Sequence, residues 1–226
     1  MPKIYIIGTP IGNLEDITLR ALRILKEVDY VLCEDTRVTK RLLQKHEIDT
    51  QTISYHTHSK ISKVEKIFDL LREERDLALV SDAGTPTISD PGSLLVSQIK
   101  EEFEGEVEII AIPGPSAVIS ALSISGLPSS DFLFLGFLPH KKGRETLFKE
   151  IAQTKRTVAF YESPHRIIKA LESLNSHLGD RKIVIAREIT KIHEQTITGT
   201  AEELLQYFKE HPDKIRGEFV VMVEGK

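Results

Sequence analysis

An α/β fold of two domains is predicted by three observations on this 226-residue chain. Short apolar runs alternate with amphipathic helical segments from end to end, the apolar runs finish in glycine- and proline-rich loops, and the alternation breaks once, between Pro113 and Pro128, before restarting. At ~150 residues per domain the length allows one large domain or two small ones. The break favours two, residues 1–114 and 115–226, each built around a parallel-rich sheet.

The elements follow in order. Ile4 to Ile7 is a short apolar strand ending at Gly8, and Asp16 opens a helix with Leu19, Leu22, Leu25 and Val28 at helical spacing. A strand at Tyr30 to Cys33 precedes a basic helix around Thr39 to Lys45, and Ile61, Val64, Phe68 and Leu71 share one face of the next helix. Strand Leu77 to Val80, helix Leu94 to Phe103 and strand Val107 to Ile112 complete the first half. Ser116 to Ser125 is a small-residue helix, stopped by Gly126 and Pro128, that suits a close-packed interface at the domain hinge or between protomers. The second half reads as strand Phe132 to Phe137, helix Arg144 to Gln153, strand Thr157 to Tyr161, helix His165 to His177, strands Lys182 to Ala186 and Gln195 to Thr198, helix Ala201 to Glu210 and strand Glu218 to Val223.

Composition narrows the class. Hydrophobic residues are 40% and charged residues 28% of the chain, the balance of a folded globular protein rather than a disordered one. Lys+Arg total 30 and Asp+Glu 34, a net charge of −4, so any nucleic acid must be held by a local basic patch and not by a global field. Cys33 is the only cysteine, which excludes an intrachain disulfide and a multi-cysteine zinc site and suits a reducing compartment. Its apolar strand marks it as a packed thiol. The opening MPKIYIIGTP lacks the features of a signal peptide, and the longest apolar run, Phe132 to Leu138, falls far short of the ~20 residues that span a bilayer. A cytoplasmic protein without a membrane segment is expected. His56 and His58 alternate along the chain without a third ligand in view, so no metal is expected there.

Ligands of open α/β sheets bind beyond the carboxyl ends of strands, which directs attention to five loops: GTPIGNLED after Ile7, SDAGTPTISDPG after Val80, PGPSA after Ile112, ESPHR after Tyr161 and REITKIHE after Ala186. Their glycines and prolines fix backbones that a ligand can approach closely. Gly8 to Gly12 is GxxxG rather than GxGxxG, and no Gly-Lys-Ser/Thr follows a glycine loop, which argues against a dinucleotide fingerprint and a P-loop.

Together with CEDTR at Cys33 to Arg37, these loops resemble, in order and spacing over Ile4 to Val223, the S-adenosylmethionine-dependent tetrapyrrole methylase superfamily, and more closely its RNA-directed branch. That resemblance implies two α/β domains with S-adenosylmethionine in the cleft between them, and methyl transfer to the ribose 2′-hydroxyl of a cytidine in the decoding region of small-subunit rRNA. It implies cofactor contacts at Ile11, at Ala83, Gly84, Thr85 and Ile88, at Ser116 and Ala117, and at Glu162 and Ile189. Where tetrapyrrole-acting members carry Gly-Asp-Pro, this chain has Gly84-Thr85-Pro86, and Asp82 is the candidate to stand in for the missing acid. Glu34 occupies the position of an acid/base residue in those members; it is read either as the acceptor of the hydroxyl proton or as part of an ion-pair cluster with Asp35 and Arg37. Members are dimers, which implies a homodimer.

For RNA the candidate phosphate contacts are Arg37, Lys40 and Arg41 on the basic helix, Lys141 and Arg144 in HKKGR, and His165, Arg166 and Arg187 near the loops. Without tryptophan and with 6% aromatics, recognition of a folded ribosomal site by shape and backbone is expected over base stacking. Two rival readings are methylation of a tetrapyrrole or other small acceptor, and a noncatalytic ribosome-associated module that keeps the cofactor fold.

Overall fold

The computed structural model describes residues 1–56, 61–90 and 92–226; Thr57 and His58, and with them the second histidine considered above as a metal ligand, lie outside the described residues. The chain divides into two compact units, Met1–Ser116 and Ala117–Lys226.

The first unit runs β1 (Lys3–Ile7), α1 (Leu19–Glu27), β2 (Tyr30–Cys33), α2 (Thr36–Lys45), β3 (Gln51–Ser54), α3 (Ile61–Arg72), β4 (Leu77–Leu79), α4 (Gly92–Phe103) and β5 (Glu108–Ile112). Its five strands are all parallel in the order β3-β2-β4-β1-β5. Strand side chains alternate between two cores. Ile7, Val31, Cys33, Ala78 and Val80 pack with the apolar stripes of α1 and α2, whereas Ile4, Leu32, Leu77 and Leu79 pack with α3 and α4. Both faces are therefore covered, which is why these strands read as unbroken apolar runs. Caps mark the helix starts: the Thr18 hydroxyl accepts the Ala21 N–H, and the Asp35 carboxylate accepts the Arg37 N–H, so α2 begins at Thr36, ahead of its apolar stripe.

The second unit runs α5 (Ala117–Ser125), β6 (Phe132–Phe137), α6 (Arg144–Gln153), β7 (Thr157–Glu162), α7 (Ile167–Leu178), β8 (Ile183–Arg187), β9 (Gln195–Gly199), α8 (Ala201–Glu210) and β10 (Phe219–Val223). The sheet order is β6-β7-β10-β8-β9. Here the expectation of a parallel-rich sheet is corrected: only β6 and β7 run parallel, and β10 lies antiparallel to both β7 and β8, as does β9 to β8. The physical reason is the β8–β9 connection, which holds no helix and returns the chain directly, as only antiparallel neighbours permit. Phe148, Leu171, Leu174 and Phe208 from α6, α7 and α8 pack on Phe160, Phe219 and Val221, while α5 lies on β7, β8 and β10 and buries Val118, Ala121 and Leu122.

Candidate functional site

In the first unit the chain leaves β1 toward β2 and leaves β4 toward β5, so the crossovers from these two adjacent strands depart in opposite directions. That is the switch point at which parallel sheets open a crevice beyond their carboxyl ends. The loops after β1, β4 and β5 meet there and are knitted by backbone. Thr9 and Gly84 exchange both hydrogen bonds, the Thr9 N–H to the Gly84 carbonyl at 2.9 Å and the Gly84 N–H to the Thr9 carbonyl at 3.0 Å. The buried Thr9 hydroxyl donates to the Ser81 carbonyl at 3.1 Å, and the Gly8 N–H donates to the Ile112 carbonyl at 3.1 Å. Gly8 and Gly114 press backbone on backbone: a Cβ on Gly8 would stand 2.8 Å from the Gly114 Cα.

Of the expected cofactor contacts, Ile11, Ala83, Gly84, Thr85, Ile88 and Ser116 fall in these loops. Gly84 has φ +82°, and its missing Cβ faces Ile11 Cγ2 at 3.5 Å. The Thr85 hydroxyl reaches the Pro115 carbonyl at 3.4 Å, Ser116 is half-buried, and Ile88 is exposed. Thr87 and Ser89 hold left-handed φ angles of 76° and 62°, a strained path for residues with side chains. Asp90 secures it by accepting the Thr87 and Gly92 N–H groups at 2.7 and 2.9 Å. Ala117 opens α5 of the second unit, and Ile189 is buried in the loop after β8, between Glu188 and Thr190, both with positive φ.

Glu34 stands half-buried at the end of β2, beside β4. It and Asp82 stand side by side: Asp82 Oδ1 accepts the Asp35 N–H at 3.1 Å, and the Asp82 backbone lies against the Glu34 carboxyl. Burial pushes the Glu34 carboxyl up, and the neighbouring charges of Asp82 and Asp90 push it further, with the Asp82 N–H partly opposing them. The exposed Arg37 guanidinium is forked onto Asp35, at 2.6 Å to Oδ2 and 3.0 Å to Oδ1. The ion pair at this strand end thus joins Asp35 and Arg37. Hydrogen bonds from Arg37 hold Asp35 down at about 2. Because this folded value lies below the ordinary one, the pair's contribution is present above ~4 and lost as pH falls toward about 2. Carboxyl NMR is expected to place the Asp35 midpoint at about 2 in the native protein and to move it upward in Arg37→Ala, short of the ordinary ~3.9 because the backbone N–H of residue 37 still caps the helix through Asp35; an unmoved midpoint would contradict the pairing.

The RNA candidates divide by environment. Lys40 and Arg41 lie exposed on α2, and Lys141 and His165 are exposed in the loops after β6 and β7. Arg144 and Arg166 both grip Glu162, whose side chain is 0% exposed. Arg187 is 5% exposed, with its guanidinium on the carbonyls of Arg216 and His193 at 3.2 and 3.1 Å. A guanidinium so occupied is not an open phosphate contact. The Asp35–Asp82 hydrogen bond beside Glu34, the Gly8–Gly114 contact and the Asp90 turn are not legible in the sequence alone; the Ser-Asp-Pro-Gly string is the available signal for the last.

Three comparisons bear on this arrangement. A family model described as tetrapyrrole (corrin/porphyrin) methylases matches residues 3–205. Proteins named ribosomal RNA small subunit methyltransferase I are similar along the whole chain: that of Halalkalibacterium halodurans is 48% identical over 98% of this chain and 75% of its own length, and that of Thermotoga maritima 44% identical over 100% of both. Among solved structures, diphthine synthase superposes with a TM-score of 0.74 at 15% identity, covering 99% of this chain and 90% of that one. The methyltransferase CobJ does so with a TM-score of 0.72 at 19% identity, covering 100% and 95%. These two likenesses concern the fold alone, and with it the expected two-part α/β architecture is borne out.

Proposed function

This chain belongs to the tetrapyrrole (corrin/porphyrin) methylase family, and we propose that it is an S-adenosylmethionine-dependent methyltransferase acting on the ribose 2′-hydroxyl of a cytidine in the decoding region of small-subunit rRNA. The observation that carries this reading is the likeness over the full length of both chains to a protein named for small-subunit rRNA methylation.

The loops of the first unit suit the cofactor. The Gly8–Gly114 contact leaves backbone where side chains would otherwise stand. Ile11 and Ile88 offer apolar surface, Ala83 and Gly84 offer backbone, and Thr85 and Ser116 offer hydroxyls. Glu34, Asp82 and Asp90 place negative potential at the same sheet edge, which favours a cationic ligand. When bound, S-adenosylmethionine supplies a methyl group on a positively charged sulfur. The chain's own tasks are then to orient the ribose hydroxyl and to take its proton, and Glu34 is the carboxylate assigned to the second. Lys40, Arg41 and Lys141 supply exposed cations, and His165 an exposed imidazole, for phosphates. We read the protein as cytoplasmic and homodimeric; Ile119 and Ile124, exposed on α5, support the latter.

The test is transfer of labelled methyl from S-adenosylmethionine to small ribosomal subunits from cells lacking this protein, with mapping of ribose methylation. One newly methylated cytidine in the decoding region is expected. Cofactor binding without transfer to any ribosomal particle would overturn the reading, in favour of a small acceptor if a tetrapyrrole is methylated and of a binding module if none is.

A further inference from the structure

The loops after β6 and β7 leave the same edge of the second sheet, because these two strands are parallel, with Phe137 registered on Tyr161. They are joined by one carboxylate. Glu162, fully buried at the end of β7, accepts hydrogen bonds from Arg144 Nη2 at 2.7 Å on one oxygen and from the Ser163 N–H at 2.9 Å on the other, and this second oxygen is also ion-paired with Arg166 Nε at 2.7 Å. The arginines carry the connection onward: Arg166 Nη1 donates to the Leu138 carbonyl at 3.0 Å, and Arg144 Nη1 to the Pro139 carbonyl at 3.2 Å. Their side chains are only 16% and 13% exposed, and the Arg144 guanidinium lies 5.2 Å from the centroid of the Phe148 ring. Two buried cations on one buried carboxylate leave an uncompensated positive charge beneath the loop surface. That surface presents Lys141 and Lys142 on one side and His165 on the other, all exposed.

We propose that Glu162 is a positioning residue whose buried carboxylate, through Arg144 and Arg166, locks these two loops into one phosphate-binding surface for the RNA backbone. This assigns Glu162 a place beneath the RNA surface instead of the direct cofactor contact that the family resemblance implies. The chemistry agrees with the geometry: a carboxylate with no exposed surface, hydrogen-bonded to Arg144 and the Ser163 amide and ion-paired with Arg166, is closed to direct contact with a ligand. Removing it leaves the arginines facing one another unpaired, so the loops part and the cations they carry lose their spacing.

The inference rests on rRNA being the substrate, and the experiment separates the two. The wild-type protein on small ribosomal subunits reports the substrate; Glu162→Gln and the surface variant Lys141→Ala/Lys142→Ala, each followed as KM against kcat together with cofactor affinity and melting temperature, report the lock. Both variants are expected to raise the KM for the subunit about tenfold and to reduce the slope of log affinity against log salt by about 2, with kcat and cofactor affinity within about twofold of wild type. The combined variant is expected to be no worse than either alone, because both act through one surface. Should Glu162→Gln fail to fold, Arg166→Lys, which keeps the charge but cannot bridge Glu162 and the Leu138 carbonyl, replaces it. An unchanged KM in Glu162→Gln, or a loss of cofactor affinity in place of a KM effect, overturns the proposal. Absence of transfer by the wild-type protein overturns the substrate reading and leaves the salt slope, measured by binding to a plain RNA strand, to decide the lock.

Discussion

Replacing Gly8 by alanine is expected to weaken S-adenosylmethionine binding by about 100-fold or more and to lower the melting temperature. The added Cβ would stand 2.8 and 2.9 Å from the Cα and N of Gly114, and the reverse substitution would place a Cβ 2.6 Å from the Gly8 carbonyl oxygen. Both neighbours are backbone, so no rotamer change relieves the clash. The strands must separate at β1–β5 or the loops must move, and overpacking of this kind costs about 1–3 kcal/mol before any effect on a ligand. A shift large enough to clear these contacts also strains the Gly8–Ile112 hydrogen bond, the Thr9–Gly84 exchange beside it and thus the whole knitted edge. Gly84→Ala provides the contrast. There the nearest atom is the Ile11 methyl at 3.5 Å, and the penalty is that of a left-handed φ, about 1 kcal/mol. Calorimetric titration of the cofactor with parallel melts reads both; full affinity in Gly8→Ala would show that the loops do not form the cofactor cradle.

The contrast between the two units shows what a single sequence can disclose. Buried on both faces, Tyr30–Cys33 and Leu77–Leu79 announce themselves as strands, and the helical stripes between them imply crossovers and hence parallel pairing. Phe219–Val223 is equally apolar and equally buried, yet it lies antiparallel to both its neighbours. Apolarity reports burial and is silent on direction, so the order of the second sheet could not be read. Strand β3, Gln-Thr-Ile-Ser at a sheet edge, has too little apolar content to be recognised at all.

The same division runs through the site. Glycine and proline loops at strand ends were legible because backbone needs are written in residue type. The ties between distant side chains were not. Glu162 stands at a strand end before Ser-Pro and is expected from the resemblance to meet the cofactor; nothing in the local sequence names its partners, and only the fold brings Arg144 to it from 18 positions away. Arg187 likewise reads as a free cation at a strand end, whereas the β8–β9 connection and the segment leading into β10 each bring a carbonyl to it.

Glu34→Gln is expected to reduce single-turnover methyl transfer by ~10²- to 10⁴-fold, the usual worth of a positioned proton acceptor, while cofactor affinity stays within about twofold. The geometry sets the sign of a second observable. Burial, Asp82 and Asp90 raise the Glu34 carboxyl above its ordinary value, so the fold favours its protonated form. The wild-type rate should therefore rise with pH through that raised value and level off above it. Asp82→Asn, which removes a like charge, should move the inflection to lower pH. Stability follows the opposite course: a carboxylate whose folded pKa lies above its unfolded one costs stability as pH climbs through the interval between them. At neutral pH Glu34→Gln is thus expected to melt no lower than the wild-type protein. The ion-pair reading of Glu34 makes the contrary demand, a lower melting temperature with little loss of rate. Arg37, the guanidinium such a pair would need, is already forked onto Asp35, and the groups that face Glu34 are acids. A destabilised but active Glu34→Gln would return the carboxylate to structure; an inactive variant that melts as high as wild type would place it at the hydroxyl.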